Sequence, residues 1–209
     1  MEDEQMRDIW YGDKKDLAKW GVLLRLAEAY NVTTILQVAY YRPTRWPGLQ
    51  IDGKPYELPS AVIDHFRKIG NIVKLRSQAK VIVLDAPFES RNRSGYLQQI
   101  LVRVGGLPRP VIIFLDPDTG LEPNGKAGLQ HVFQSELLAI WNVLRHDDLL
   151  VFYQHSMRSH SWIEDKQAQF EKALGLEPNG SKVAQGKEMA PGVAFFYSRK
   201  VSKTSPRSN

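Results

Sequence analysis

A chain of 209 residues that is 43% hydrophobic and 24% charged has the size and composition of one globular domain with a sizeable core, and it excludes a disordered or membrane-embedded chain. Its formal charge of +5 and pI near 9.3 favour an anionic partner, of which nucleic acid is the commonest. With no cysteine, a disulfide framework, a thiolate metal site and a cysteine nucleophile are all excluded.

The N-terminal MEDEQMRDIW is acidic and lacks the apolar run of a signal peptide, and no stretch approaches the ~18 apolar residues of a membrane span. The expectation is a soluble cytoplasmic protein with no membrane partner. It comprises one α/β domain over residues 1–200 and a disordered basic tail, 201–209.

In chain order, DKKDLAKWGVLLRLAEAY carries Leu17, Trp20, Val22, Leu23, Leu24, Leu26 and Ala27 at helical spacing. Asp13 or Asp16 can cap this helix, and Lys14, Lys15 and Lys19 read as its solvated face. TTILQVAYY (33–41) is β-branched and aromatic, the content of a buried strand. Residues 42–59 hold prolines, glycines, Trp46 and an Asp52-Gly53 turn, so they form a long excursion.

A helix over 60–75, with Val62, Phe66 and Ile69 inward, leads to a second strand, KVIVLDAPF (80–88), which ends in Asp85. GYLQQILVRV is a helix closed by Gly105-Gly106. VIIFL (111–115) is a third strand, followed by a long helix over 127–145 carrying Leu129, Val132, Phe133, Leu137, Leu138, Ile140 and Leu144. DLLVFYQHS (148–156) is a fourth strand and SWIEDKQAQFEKALG an amphipathic helix. Two strand-like runs, 182–188 and 192–200, finish the chain.

Strands alternating with helices predict a mostly parallel sheet covered on both faces, a Rossmann-like three-layer α/β sandwich with a C-terminal antiparallel hairpin on one edge. In such sheets ligands bind outside the carboxyl ends of the strands. The polar residues delivered there are Tyr40, Tyr41 and Arg42, then Asp85, then Asp116 and Asp118, then Gln154 and His155. The candidate catalytic residues are Asp116, Asp118 and His155, and the candidate substrate-binding residues are Tyr41, Arg42, Trp46, Asp85, Gln154 and Arg158. Arg42, Arg45, Arg91, Arg93 and Arg158 follow strand ends and would form a basic rim for a phosphorylated substrate. Trp46 could stack on a base. The structural alternative for Asp116 and Asp118 is a turn that caps the next helix.

The order strand, helix, hairpin at the C-terminus resembles the class I methyltransferase variant of the Rossmann-like fold, and DPDTG (116–120) is similar to the Asp-Pro turn with which amino-methyltransferases hold an acceptor amine. That resemblance implies S-adenosylmethionine as cofactor. Two departures oppose it: the turn continues Pro-Asp-Thr instead of Pro-Pro-aromatic, and the first strand ends QVAYYRPTRWPG without a glycine-rich loop. YGDKKDLAKWGVLLRLA, IDGKPYELP, FLDPDTGLEP and VFYQHSMR resemble, in this order, a family of bacterial hypothetical proteins with no assigned activity. The resemblance carries Asp13, Asp16, Lys19, Asp52, Gly53, Asp116, Pro117, Asp118, Gly120, Tyr153, Gln154, His155 and Arg158 as positions of interest.

Three functions remain open on these residues. One is a methyltransferase-type enzyme acting on nucleic acid or a nucleotide. Another is a nuclease or phosphohydrolase in which Asp85, Asp116 and Asp118 hold Mg²⁺ or Mn²⁺. The third is a non-catalytic module that binds nucleic acid or protein.

Overall fold

The computed structural model of the chain describes residues 14–41, 49–51, 53–57, 59–62, 69–84, 86–123, 128–186 and 188–201. Its frame is a six-stranded sheet built from β1 (Thr34–Val38), β4 (Lys80–Leu84), β5 (Val111–Leu115), β8 (Leu149–His155), β9 (Lys182–Ala184) and β10 (Val193–Arg199). The spatial order is β4-β1-β5-β8-β10-β9. The first four strands run parallel, and β10 is antiparallel to both β8 and β9. Two small pairs stand apart: a hairpin of β2 (Leu49–Ile51) and β3 (Lys54–Tyr56), and a parallel pair of β6 (Gly120–Leu121) and β7 (His131–Val132).

Every side chain of β1 and β5 is buried, as expected of parallel strands covered on both faces. Alternation along β5 divides the core. Ile112 and Phe114 pack with Leu23 and Leu26 of α1 (Lys14–Ala29). Val111, Ile113 and Leu115 instead join Ile100 of α2 (Arg93–Gly105), Leu137 and Ile140 of α3 (Gln134–Val143) and Phe170 of α4 (Trp162–Leu174). Each such side chain contributes about 1.5–3 kcal/mol on burial. The three layers, the mostly parallel sheet and the antiparallel C-terminal pair are those of a Rossmann-like sandwich.

Several elements differ from their sequence expectation. The helix expected over 127–145 begins only at Gln134, because His131 and Val132 pair with Gly120 and Leu121 as strand β7. Its start is held by carboxylates that follow the Asp-Pro turn: Glu136 accepts the Phe133 N–H at 3.0 Å and Glu122 accepts the Gln134 N–H at 2.7 Å. Of the helix expected over 60–75, Ile69–Lys74 form a 3₁₀ turn, and Val62 is exposed instead of inward.

On α1, Leu17 lies outside the core at 62% exposure while Lys19 is buried at 5%. The solvated reading of Lys19 is therefore corrected: its ammonium has carboxylate partners under the helix, which makes burial tolerable. Leu129 and Leu138 are also exposed. Among the described residues no helix is long and apolar enough to cross a membrane.

Candidate functional site at the switch point

The chain leaves β1 toward β4 on one side and enters β5 on the other, so the carboxyl ends of β1 and β5 flank a topological switch point, where open α/β sheets bind their ligands. Side-chain alternation decides what is presented there. Asp116 follows Leu115, which faces α2 and α3, so Asp116 faces α1, as does Gln37 of β1. Asp116 is completely buried.

The Oδ2 of Asp116 accepts hydrogen bonds from Lys19 Nζ at 2.9 Å and from Gln37 Nε2 at 2.7 Å. Lys19 also donates to Asp16 Oδ1 at 2.8 Å. Burial disfavours the Lys19 charge, but Asp116 and Asp16 outweigh it and hold the ammonium above its ordinary pKa. For Asp116, burial pushes the carboxyl up from its ordinary value, and Lys19 and Gln37 pull it part of the way back. Asp116 Oδ1 and Gln37 Oε1 are buried acceptors with no hydrogen-bond partner among the described residues. Trp20 Nε1 of α1 is a buried donor in the same condition.

The end of β8 completes this face. The Tyr153 hydroxyl lies 2.9 Å from His155 Nε2, and Lys19 Nζ stands 5.4 Å from the centre of the Tyr153 ring. Gln154, between them, points to the other face and braces the loop after Asp116. Its Oε1 accepts the Leu121 N–H at 2.8 Å, and its Nε2 donates to the Thr119 and His155 carbonyls at 3.0 and 2.8 Å. Gly120 makes that contact feasible, since its φ is +129° and a Cβ there would lie 2.1 Å from Gln154 Oε1.

Of the residues expected from sequence, the structure thus gathers Asp116 and His155 on the α1 face. Asp118 is buried close behind Asp116 in the chain. Tyr41 is half-buried, with its carbonyl accepting the Phe88 N–H at 2.7 Å, and Arg158 is exposed. Arg42, Trp46, Asp85, Asp13 and Asp52 lie outside the described residues.

Arg93 does not belong to a basic rim. Its guanidinium forks onto Glu136, donates to the His131 carbonyl and lies 3.6 Å from the Phe133 ring centre. The capping reading of Asp116 is replaced by the Lys19 and Gln37 bonds. Among the described residues no three carboxylate or imidazole groups converge to hold a metal ion.

Sequence reasoning missed Gln37 as a site residue and carried Lys19 only through the family resemblance, its helical context reading as a solvated face. Gln37 was signalled by a lone amide inside the otherwise apolar and hydroxylic run TTILQVAYY, since a buried amide needs partners. Lys19 sits three residues after Asp16, a spacing that places both on one helix face.

No family model matches the sequence, and no curated protein matches it. Solved structures do align. A Klebsiella pneumoniae protein that carries an O-methyltransferase name is 15% identical with a TM-score of 0.40, over 88% of this chain and 81% of its own. A Thermobifida fusca protein named as a methyltransferase is 15% identical at 0.41, over 90% and 80%. The methyltransferase domain of bacterial CtHen1 is 8% identical at 0.41, over 88% and 99%. Matches this distant assign no role. The class rests on the strand order: a Rossmann-like α/β protein of methyltransferase-like architecture.

That architecture implies S-adenosylmethionine, and the end of β1 does not fit it. Where a glycine-rich turn would let the cofactor approach the backbone, Ala39 and Tyr40 follow the strand. Tyr40 has φ +48°, and its buried ring packs 5.3 Å from Phe88 and 5.4 Å from Tyr96.

Proposed function

We propose that the chain is a methyltransferase-type Rossmann-like protein that binds a nucleotide or nucleic-acid group at the switch point, with Asp116 accepting an N–H or O–H of that ligand. The observation that carries this reading is the pair of buried acceptors, Asp116 Oδ1 and Gln37 Oε1, that have no donor among the described residues. An unsatisfied buried acceptor costs about 1–3 kcal/mol. A ligand donor, such as an exocyclic amine or a ribose hydroxyl, would recover that cost on binding.

Lys19 and Gln37 have defined parts in this reading. Both bind the same oxygen of Asp116, which fixes the carboxylate plane and leaves the other oxygen as the acceptor. His155, bonded to Tyr153 on the same face, is the group that could carry a proton there. The net charge of +5 favours encounter with a phosphorylated ligand. No step through S-adenosylmethionine is assigned.

Thermal unfolding with adenosine, cytidine, their 5′-monophosphates and S-adenosylmethionine tests the reading, using wild type, Asp116→Asn and the volume-conserving Gln37→Met. The expected result is a rise in Tm with a nucleoside or nucleotide that both variants diminish while remaining folded by circular dichroism. A wild type indifferent to all these compounds, or a response that neither variant diminishes, overturns it.

A further inference from the structure

Beside the β6–β7 pair, a cleft of about 210 Å³ opens between Thr119, Leu121, Pro123, His131, His155 and Met157. We propose that this cleft is a second binding site, one that takes a single planar nitrogen heterocycle, a nucleobase or a ring of that size, whose edge acceptor is met by the Nε2–H of His131. The cleft shares His155 with the switch-point face, but its directional contact is His131, so substitutions at His131 and at Asp116 separate the two sites.

Size sets the first constraint. Clefts for drug-sized ligands are about 300–1,000 Å³, so this one suits one ring system and not a whole nucleotide. The polar inventory sets the second. The loop that forms the wall is already satisfied internally. The Thr119 hydroxyl donates to the Gln130 carbonyl at 2.8 Å, the Leu121 N–H to Gln154 at 2.8 Å, and the buried Lys166 ammonium to the Leu121 and Glu122 carbonyls at 3.1 and 2.9 Å. Pro123 and Met157 therefore present apolar and thioether surface, which suits the face of a flat ring.

His131 supplies the directional contact. Its Nδ1 accepts the Gly128 N–H at 3.0 Å, so in the neutral ring the proton resides on Nε2, the one ring nitrogen left to meet a ligand. Burial, with Lys166 and Arg93 nearby, lowers the His131 pKa and favours the neutral ring. The residue is also well anchored. Its N–H bonds the Gly128 carbonyl at 3.2 Å, its own carbonyl is held by Arg93, and it pairs with Gly120 in the β6–β7 ladder. A donor this immobile loses little freedom when a ligand binds.

The test is calorimetric titration of the whole chain with adenosine and with cytidine at pH 7.5, in wild type and in variants built from three substitutions. His131→Asn retains an acceptor for the Gly128 N–H and deletes Nε2–H. Met157→Trp, at a position 45% exposed, fills the mouth with little risk to folding. Asp116→Asn reports on the switch point. With the switch-point site disabled by Asp116→Asn, the expected result is saturable nucleoside binding that persists and whose Kd is weakened tenfold or more when His131→Asn or Met157→Trp is added to that variant. No saturable binding to wild type, or binding that His131→Asn and Met157→Trp both leave within twofold in the Asp116→Asn background, overturns the inference. Binding abolished by Asp116→Asn alone would overturn it too, while favouring the switch-point site.

Discussion

Lys19 and Asp116, 97 positions apart in the chain, share a buried hydrogen bond of 2.9 Å. It ties the first helix to the end of the third parallel strand of the sheet. The pair has carboxylate and amide neighbours in Asp16 and Gln37, so each charge is met by more than one group. A buried pair contributes little net stability against an apolar replacement, yet losing one partner is costly because the other charge stays in the core.

Lys19→Met is therefore expected to destabilise the fold by about 3–5 kcal/mol, and the double variant Lys19→Met/Asp116→Leu to recover most of that loss. Urea unfolding of the two variants and wild type measures both. A double variant as unstable as Lys19→Met would show that the ion pair is not the cause.

The loop after Asp116 depends on Gly120. Gly120→Ala forces a side chain into a conformation that costs about 1–3 kcal/mol and displaces the Gln154 amide from Leu121 and Thr119. A total loss of about 3 kcal/mol in denaturant unfolding is expected, with Gln154→Leu losing about 1–3 kcal/mol through the same unpaired backbone groups. A Gly120→Ala protein as stable as wild type would contradict this geometry.

Acid should act through Glu171. Burial opposes its charge, but the carboxylate accepts Ser181 Oγ at 2.7 Å, Ser181 N at 3.1 Å and Asn179 N at 3.2 Å, which together hold it below the ordinary value of 4.5. A carboxylate lowered in the fold binds its proton more weakly there than in the unfolded chain. Its stabilisation is thus complete above pH 4.5 and disappears as pH falls through the lowered folded value. Glu171→Gln should be less stable at pH 7 and lose less on acidification, seen as a flatter Tm between pH 5 and about pH 3. Parallel pH profiles for the two proteins would rule this out.

Divalent metal is expected to leave the protein unchanged, since Lys19 and Gln37 occupy one oxygen of Asp116 and no metal cluster forms among the described residues. Millimolar Mg²⁺ or Mn²⁺ should not move Tm. A rise that Asp118→Asn abolishes would favour the hydrolase reading.

Much of the frame is legible along the chain because it is local. The runs VIIFL and LLVFY are continuous and apolar, which only strands buried on both faces require, and the helical spacing of Leu23, Leu26 and Ala27 marks the buried stripe of α1. The helix over 127–145 was misjudged because the same apolar residues suit a short strand followed by a helix. The pairing of His131 with Gly120, a tertiary contact, decides between them.

For the site, sequence alone determined that polar residues collect after buried runs, and so that Asp116, Asp118 and His155 stand at one end of a parallel sheet. Only the tertiary structure decided which of them meet. Side-chain alternation turned Asp116 and His155 toward α1 and Gln154 away from it, and the packing of α1 on that face carried Lys19 under the sheet rim. The reason is physical: a lone lysine or glutamine has no periodicity to betray its partner, and the energy that buries it comes from groups far away in the chain.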